Sequence, residues 1–366
     1  MKIVGIITEY NPLHNGHLYH INKVKEISNC DVLVCVLSGN YVMRGNLSCI
    51  DKYNKTKFAL QSGIDLVIEI PFYYVNNSSD IFAYGAVSLL NKIGVEEIYF
   101  GSETNDINYL YQIYNQTKSL DFNNKIKEEL KNGISFSKAY QNALGTTINS
   151  NDILGIEYIK ANEELNANIK MYTIKRENAN YNDSLINNSS IQSASYIRTI
   201  SNPSEFVPEY VNEYLLNNQK RDIKDLFELI NHQINILSIT ELQEILNINE
   251  GIENRFKSNL NLDYDSFINN TITKRYNINK INRSLLNILF NFKKDDFKKV
   301  EPDYIHVLGF NEKGKKLLNM KKKEVNIFTK LPLNSTNKMI ILQNKVDNLY
   351  NYKYNIENDK INLIKG

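Results

Sequence analysis

Apolar, β-branched runs recur through the first hundred residues, at 3–7 (Ile-Val-Gly-Ile-Ile), 31–37 (Asp-Val-Leu-Val-Cys-Val-Leu), 65–70 (Asp-Leu-Val-Ile-Glu-Ile) and 96–100 (Glu-Glu-Ile-Tyr-Phe). Their apolar positions are nearly continuous rather than alternating, the pattern of strands covered on both faces. Helical periodicity fills the gaps at about 16–29, 51–62 and 80–93. Strand and helix in turn predict an α/β fold with a doubly wound, Rossmann-like parallel sheet. Such sheets bind ligands beyond the carboxyl ends of their strands, near the point where strand order reverses. The segments to watch are therefore 8–16, 38–45, 71 onward, and Gly101-Ser102-Glu103.

Further along, 105–165 is mostly helical, punctuated by Gly133 and Gly145. A strand-like run at 169–174 extends the sheet, and 177–190 is a polar loop. Ser193 to Arg198 opens a helix that ends near Pro203, and 205–300 is helical again. The last ~65 residues mix short strands and helices, and no internal repeat is found. This places a boundary near 200, between a catalytic α/β domain (1–200) and a mainly helical region (201–366).

The chain has 366 residues, a 42% hydrophobic content and a net charge of +2. That content supports a sizeable core and excludes disorder. No run of ~18 apolar residues is present to span a membrane. The first residues, Met1 to Ile7, are too short and strand-like for a signal peptide. Three cysteines without a Cys-x-x-Cys pair argue against a disulfide scaffold or a zinc ribbon, and the cytoplasm is expected. The wealth of Asn, Ile, Lys and Tyr and the lack of Trp match an AT-rich genome and weaken arguments from Asn-rich loops. Net charge hides its distribution: from Lys274 to Lys323 there are fourteen basic and five acidic residues. Such a stretch suits a nucleic-acid backbone, although a solvated helix face in a lysine-rich chain explains it equally well.

The sharpest feature is Thr8-Glu9-Tyr10-Asn11-Pro12-Leu13-His14-Asn15-Gly16-His17, which follows the first strand and opens the first helix. Three of the five histidines, His14, His17 and His20, fall here. A helix start offers free N–H groups and a positive dipole end, which suit phosphate. Histidines three apart share a helix face and can donate hydrogen bonds to phosphate oxygens as charge builds. Gly16 allows close approach to the backbone. The alternatives are surface histidines, or a zinc site that lacks any Cys or His-Glu-x-x-His partner.

His14-Asn15-Gly16-His17 resembles the His-x-Gly-His signature of the nucleotidylyltransferase superfamily. Ile191-Gln192-Ser193-Ala194-Ser195-Tyr196-Ile197-Arg198 is similar to its second motif, Ile-Ser-Ser-Thr-x-Ile-Arg, although Gln192 and Ala194 depart from it. Helix capping is the plainer role of Ser193 and Ser195. Ser38-Gly39-Asn40-Tyr41-Val42-Met43-Arg44-Gly45, Asp65 to Pro71, Phe100 to Glu103, Asn151 to Tyr158 and Tyr304 to Phe310 follow in order. Together these segments resemble the bacterial tRNA(Met) cytidine acetate ligase family over most of the chain.

The resemblance implies a ligase that joins ATP and acetate into acetyl-adenylate. It then passes the acetyl group to the wobble cytidine of elongator tRNA(Met), giving 4-acetylcytidine. His14 and His17 become the catalytic residues. The implied ATP site is Ile7, Thr8, Glu9, Tyr10, Asn11, Pro12, Leu13, His14, Asn15, Gly16, His17, Leu18, Tyr19 and His20, with Gly101, Asn151 and Arg176. Each outlying residue has a plainer role: a turn for Gly101, a helix cap for Asn151, a solvated strand end for Arg176. Arg44 and Asp51 flank the second strand-end loop and are further candidates. Lys293, Lys294, Lys315, Lys316 and Lys321 are the expected tRNA contacts. Magnesium is expected with the ATP phosphates without a dedicated carboxylate cage, and a homodimer is compatible with the sequence. The rival readings are a small-molecule adenylyltransferase of the same fold and a non-catalytic RNA-binding protein.

Overall fold

The structure is a computed structural model that describes residues 1–176 and 191–356 and the short strand Ile364–Lys365. The polar loop expected at 177–190 lies outside the described residues. Ten strands are present among them: β1 (Ile3–Thr8), β2 (Val32–Ser38), β3 (Tyr41–Val42), β4 (Asn46–Leu47), β5 (Leu66–Ile70), β6 (Glu97–Ser102), β7 (Lys170–Lys175), β8 (Tyr304–Phe310), β9 (Asn326–Phe328) and β10 (Ile364–Lys365).

The main sheet runs in the order β10-β8-β5-β2-β1-β6-β7, with β9 also paired to β8. Neighbours from β5 to β7 are all parallel; β8 pairs antiparallel with β5, and β9 and β10 run parallel to β8. The chain moves outward from β1 through β2 to β5 and then returns to the other flank of β1 at β6. Strand order therefore reverses beside β1, where a crevice forms at the carboxyl ends.

Alternate residues of each central strand feed opposite cores. Val32, Val34, Val36, Leu66 and Ile68 pack on one face, with Phe82, Ala86 and Leu90 of the helix Ser79–Ile93. Val4, Ile6, Leu33, Cys35, Leu37 and Val67 pack on the other, with Ile21 and Val24 of the helix Asn15–Ser28 and Phe58 of the helix Lys52–Gln61. Both faces being covered is why these runs read as continuously apolar.

The region after 200 is largely helical as expected, yet β8 comes from it and pairs Leu66 with Phe310 and Val67 with Gly309. Residues on both sides of position 200 thus build one sheet. The helix Lys338–Lys353 returns to the same place. Its Asp347 accepts from Asn40 (2.9 Å) and Lys52 (2.6 Å), and its Gln343 accepts from the Phe72 amide (2.8 Å). Lys52 and Glu69 are almost wholly buried and bond at 2.9 Å, while His306 of β8 meets the other Glu69 oxygen at 2.5 Å. Burial disfavours the Glu69 charge, but Lys52 and His306 outweigh it and hold that carboxyl below its usual range. Burial, partly offset by Lys52, raises Asp347. One buried lysine between two carboxylates thus fastens the last third of the chain to the first.

Candidate active site

At the carboxyl end of β1 the chain turns through Tyr10, which takes a left-handed conformation (φ 45°), before the helix Asn15–Ser28 begins. His14 is the N-cap of that helix. Its Nδ1 accepts from the Gly16 amide at 3.1 Å, and His17 Nδ1 accepts from the His14 amide at 3.2 Å. Two histidines thus perform the reciprocal capping that Ser and Glu usually perform. Their rings stack with centroids 3.7 Å apart, and the Tyr10 ring meets His17 edge-on at 4.9 Å.

This geometry fixes the tautomers. Each Nδ1 is an acceptor, so in the neutral ring the proton sits on Nε2. Burial, with Arg176 nearby, lowers His14 to about 4. Burial, His14 and Arg176 together hold His17 well below its ordinary value. Both rings are therefore neutral near pH 7 and each carries one Nε2–H donor. A Cβ at position 16 would lie 3.0 Å from His14 Cε1 and 3.3 Å from Ile191, so Gly16 makes room for the capping ring.

A cavity of about 1410 Å3 opens at these strand ends. On the β6 and β7 side it is bounded by Gly101, Glu103, Asn151 and Arg176. Gly101 pairs with Ile174 and lies against the Arg176 side chain. Asn151 does not cap its helix; Asn149 holds that position, and Asn151 Nδ2 instead donates to Glu103 at 2.5 Å. Arg176 stands 3.8 Å from the same carboxylate. On the β2 side the wall is Glu9, Met43 and Arg44, and beyond them Arg221, Lys224, Tyr264 and Asn282 from the region after 200.

Of the segment 7–20, Ile7, Thr8, Glu9, Tyr10, Asn11, His14, Gly16, His17, Tyr19 and His20 line the cavity. Leu13 is core, Asn15 donates to the Glu205 carbonyl, and Pro12 and Leu18 are off the cavity wall. Gln192, Ser193, Ala194, Ser195 and Arg198 also line it. Ser193 caps the helix Ala194–Thr199, as its type suggests, while Arg198 donates to the Asn11 carbonyl at 2.6 Å and so braces the histidine loop. Asp51 is a buried helix cap paired with Arg221 at 3.1 Å rather than part of the cavity wall.

The candidate lysines lie elsewhere. Lys293 pairs with Glu244, and Lys294 donates to the Gln243 carbonyl. Lys315 and Lys321 pair with Glu312 and Glu324 on or beside the helix Glu312–Lys321. That helix packs against Asp65, and Lys321 against Gly94, residues that precede β5 and β6. It therefore lies at the opposite end of the strands from the cavity.

Two buried lysines went unnoticed in the sequence. Lys52 belongs to the carboxylate cluster above. Lys55 donates to the carbonyls of Glu9 (2.9 Å) and Ser38 (2.7 Å), tying the ends of β1 and β2 together, and burial lowers it to about 8. Polar residues on the inner face of the helix Lys52–Gln61 were the available signal. Among the described residues no helix is long and apolar enough to cross a membrane, and no group of three His, Cys, Asp or Glu could hold a metal ion.

The HIGH Nucleotidyl Transferase family model matches residues 1–362. The tRNA(Met) cytidine acetate ligase of Clostridium perfringens (strain SM101 / Type A) is 38% identical, over 96% of this chain and 95% of that protein. The chain belongs to that ligase family. The Fusobacterium nucleatum ligase is also 38% identical, over 99% of this chain and 97% of its own length. Thermotoga maritima TmcAL, solved with alpha-thio ATP bound, superposes with a TM-score of 0.86 at 29% identity, covering 97% of this chain and 95% of that one. Membership of a ligase family sets aside the non-catalytic reading.

Proposed function

We propose that this ligase consumes ATP to activate acetate and transfers the acetyl group to the wobble cytidine of elongator tRNA(Met). The observation that carries the activation step is the pair of neutral imidazoles at a helix start, each with an Nε2–H free to donate. Acetate attack on the α-phosphate builds charge on the phosphate oxygens and expels pyrophosphate. Pre-positioned neutral donors stabilise that charge without first having to lose a proton. Gly101 lets the Arg176 side chain lie close to the end of β6, Asn151 would offer hydrogen bonds to adenosine, and Arg176, on the cavity wall, would pair with the triphosphate. Glu103 is engaged by Asn151 and the Asp152 amide, and magnesium would arrive on the ATP phosphates.

For the tRNA, the region 201–366 supplies the outer wall of the cavity, and Lys293, Lys294, Lys315, Lys316 and Lys321 remain candidate backbone contacts on more distant surfaces. A wobble base lies in a single-stranded loop and can be turned out into a cavity. The test mixes protein, ATP and labelled acetate with and without tRNA(Met). Acetate-dependent pyrophosphate release and label in the tRNA are expected; absence of both refutes the reading.

A further inference from the structure

We infer that Glu9 is the group that accepts the proton of the attacking amine in the transfer step, an inference that rests on the proposed function above. The nucleotide half of the cavity, with Gly101, Asn151 and Arg176, lies on the β6 and β7 side of β1. Glu9 stands on the opposite side, one residue past β1 and beside Ser38, the last residue of β2. That side is the one left for an incoming nucleophile.

Glu9 is held as a positioned base is held. Its Oε1 accepts from Ser38 Oγ at 3.1 Å and from the Met43 amide at 2.7 Å. Lys55 grips the Glu9 carbonyl from beneath. Oε2 takes no hydrogen bond from a described residue and is open to the cavity. A carboxylate oxygen is also the natural acceptor for the exocyclic amine of cytosine.

The alternatives in the same cavity are occupied. Glu103 is bound by Asn151 and the Asp152 amide, Asp222 by Asn46 and the Lys224 amide, and Asp265 by Lys224. His14 and His17 spend Nδ1 on the helix start, which leaves only the protonated nitrogen facing outward. His20 lines the cavity, but its Nε2 is buried and has no hydrogen-bond partner among the described residues. Among the described residues, Lys55, Arg198 and Tyr158 are charged or titratable groups that interact electrostatically with Glu9.

The step balances. The cytidine N4 lone pair forms a bond to the acetyl carbonyl carbon. The bond from that carbon to the adenylate oxygen breaks, and its electron pair leaves with AMP. One N4 proton passes to Glu9 Oε2.

The test separates adenylate formation from transfer in Glu9→Gln. Hydroxylamine traps acetyl-adenylate as acetohydroxamate and needs no protein base, whereas tRNA(Met) reports transfer. Loss of a general base typically costs about 100- to 10,000-fold. Transfer is expected to fall at least ~100-fold further than hydroxamate formation, with tRNA affinity measured by filter binding within about threefold of wild type. Glu9→Asp is expected to recover part of the transfer, and Ser38→Ala, which leaves Oε1 held by the Met43 amide alone, to lower transfer by less than Glu9→Gln does. Parallel loss of hydroxamate and transfer, undiminished transfer, or a loss accounted for by weaker tRNA binding would each overturn the assignment. Wild-type protein that forms no hydroxamate would instead overturn the function on which it rests.

Discussion

His17→Ala removes several contacts at once, and the structure lets the main ones be weighed. The His14 amide loses its acceptor at 3.2 Å, the His14 ring loses a stacking partner at 3.7 Å, and the cavity loses one Nε2–H donor. A lost cap costs about 0.5–2 kcal/mol and a lost aromatic pair about 0.5–1.5 kcal/mol. Together they destabilise the fold by about 1–3 kcal/mol. For a chain of this length that lowers Tm by only about 1–4 °C. The catalytic cost is larger: one pre-positioned donor at developing charge contributes about 100- to 1,000-fold in rate. The assay is acetate-dependent pyrophosphate exchange into ATP, read beside a thermal melt. His17→Asn separates the effects, because its short amide can still accept from the capping amide while offering no donor at the Nε2 position. It is expected to recover the melt and not the exchange. An alanine variant that keeps exchange within fivefold of wild type refutes the donor role outright.

Further outcomes follow from the same geometry. With His14 held at about 4, exchange should show no inflection near pH 6.5, where an unperturbed imidazole titrates; a loss of half the rate there would contradict the buried neutral ring. The sign for stability runs the other way from a salt-bridged histidine: His14 and His20 take up protons more readily unfolded, so stability is full above about pH 6.5 and falls as pH drops toward 4. The fall in Tm between pH 7 and pH 5 should accordingly be smaller in His20→Asn. Lys52→Met strands Glu69 and Asp347 in the core, and denaturant titration should show a loss of about 3–5 kcal/mol; a neutral result would mean the cluster is not the clasp described. Glu replacements at Lys315, Lys316 and Lys321 should weaken tRNA binding more than ATP binding, and equal effects would remove those lysines from the RNA surface.

Much of the candidate site was readable in the chain because its signals are local. β1 and the histidine loop are consecutive, and the two histidines sit one turn apart. Both Arg176 and Gly101 lie at ends of strands that their apolar runs announce. What escaped is non-local. Nothing near Tyr304 says that its strand will lie beside Leu66, because that pairing is decided by an uncovered sheet edge. The buried lysines look like surface lysines until Asp347 and the carbonyls of Glu9 and Ser38 arrive from elsewhere. The basic run after Lys274 overstated free charge, since Lys293, Lys315 and Lys321 each face a carboxylate in the fold.

The antiparallel strand β8 has a consequence for how the protein is made. During synthesis, β5 emerges roughly 240 residues ahead of the strand that covers it. At translation rates of about 5–20 residues per second, its hydrogen-bonding edge waits on the order of tens of seconds without a partner. An open parallel edge of that kind invites pairing with other nascent chains. A chain cut short before residue 304 is therefore expected to aggregate rather than to fold as a smaller working enzyme.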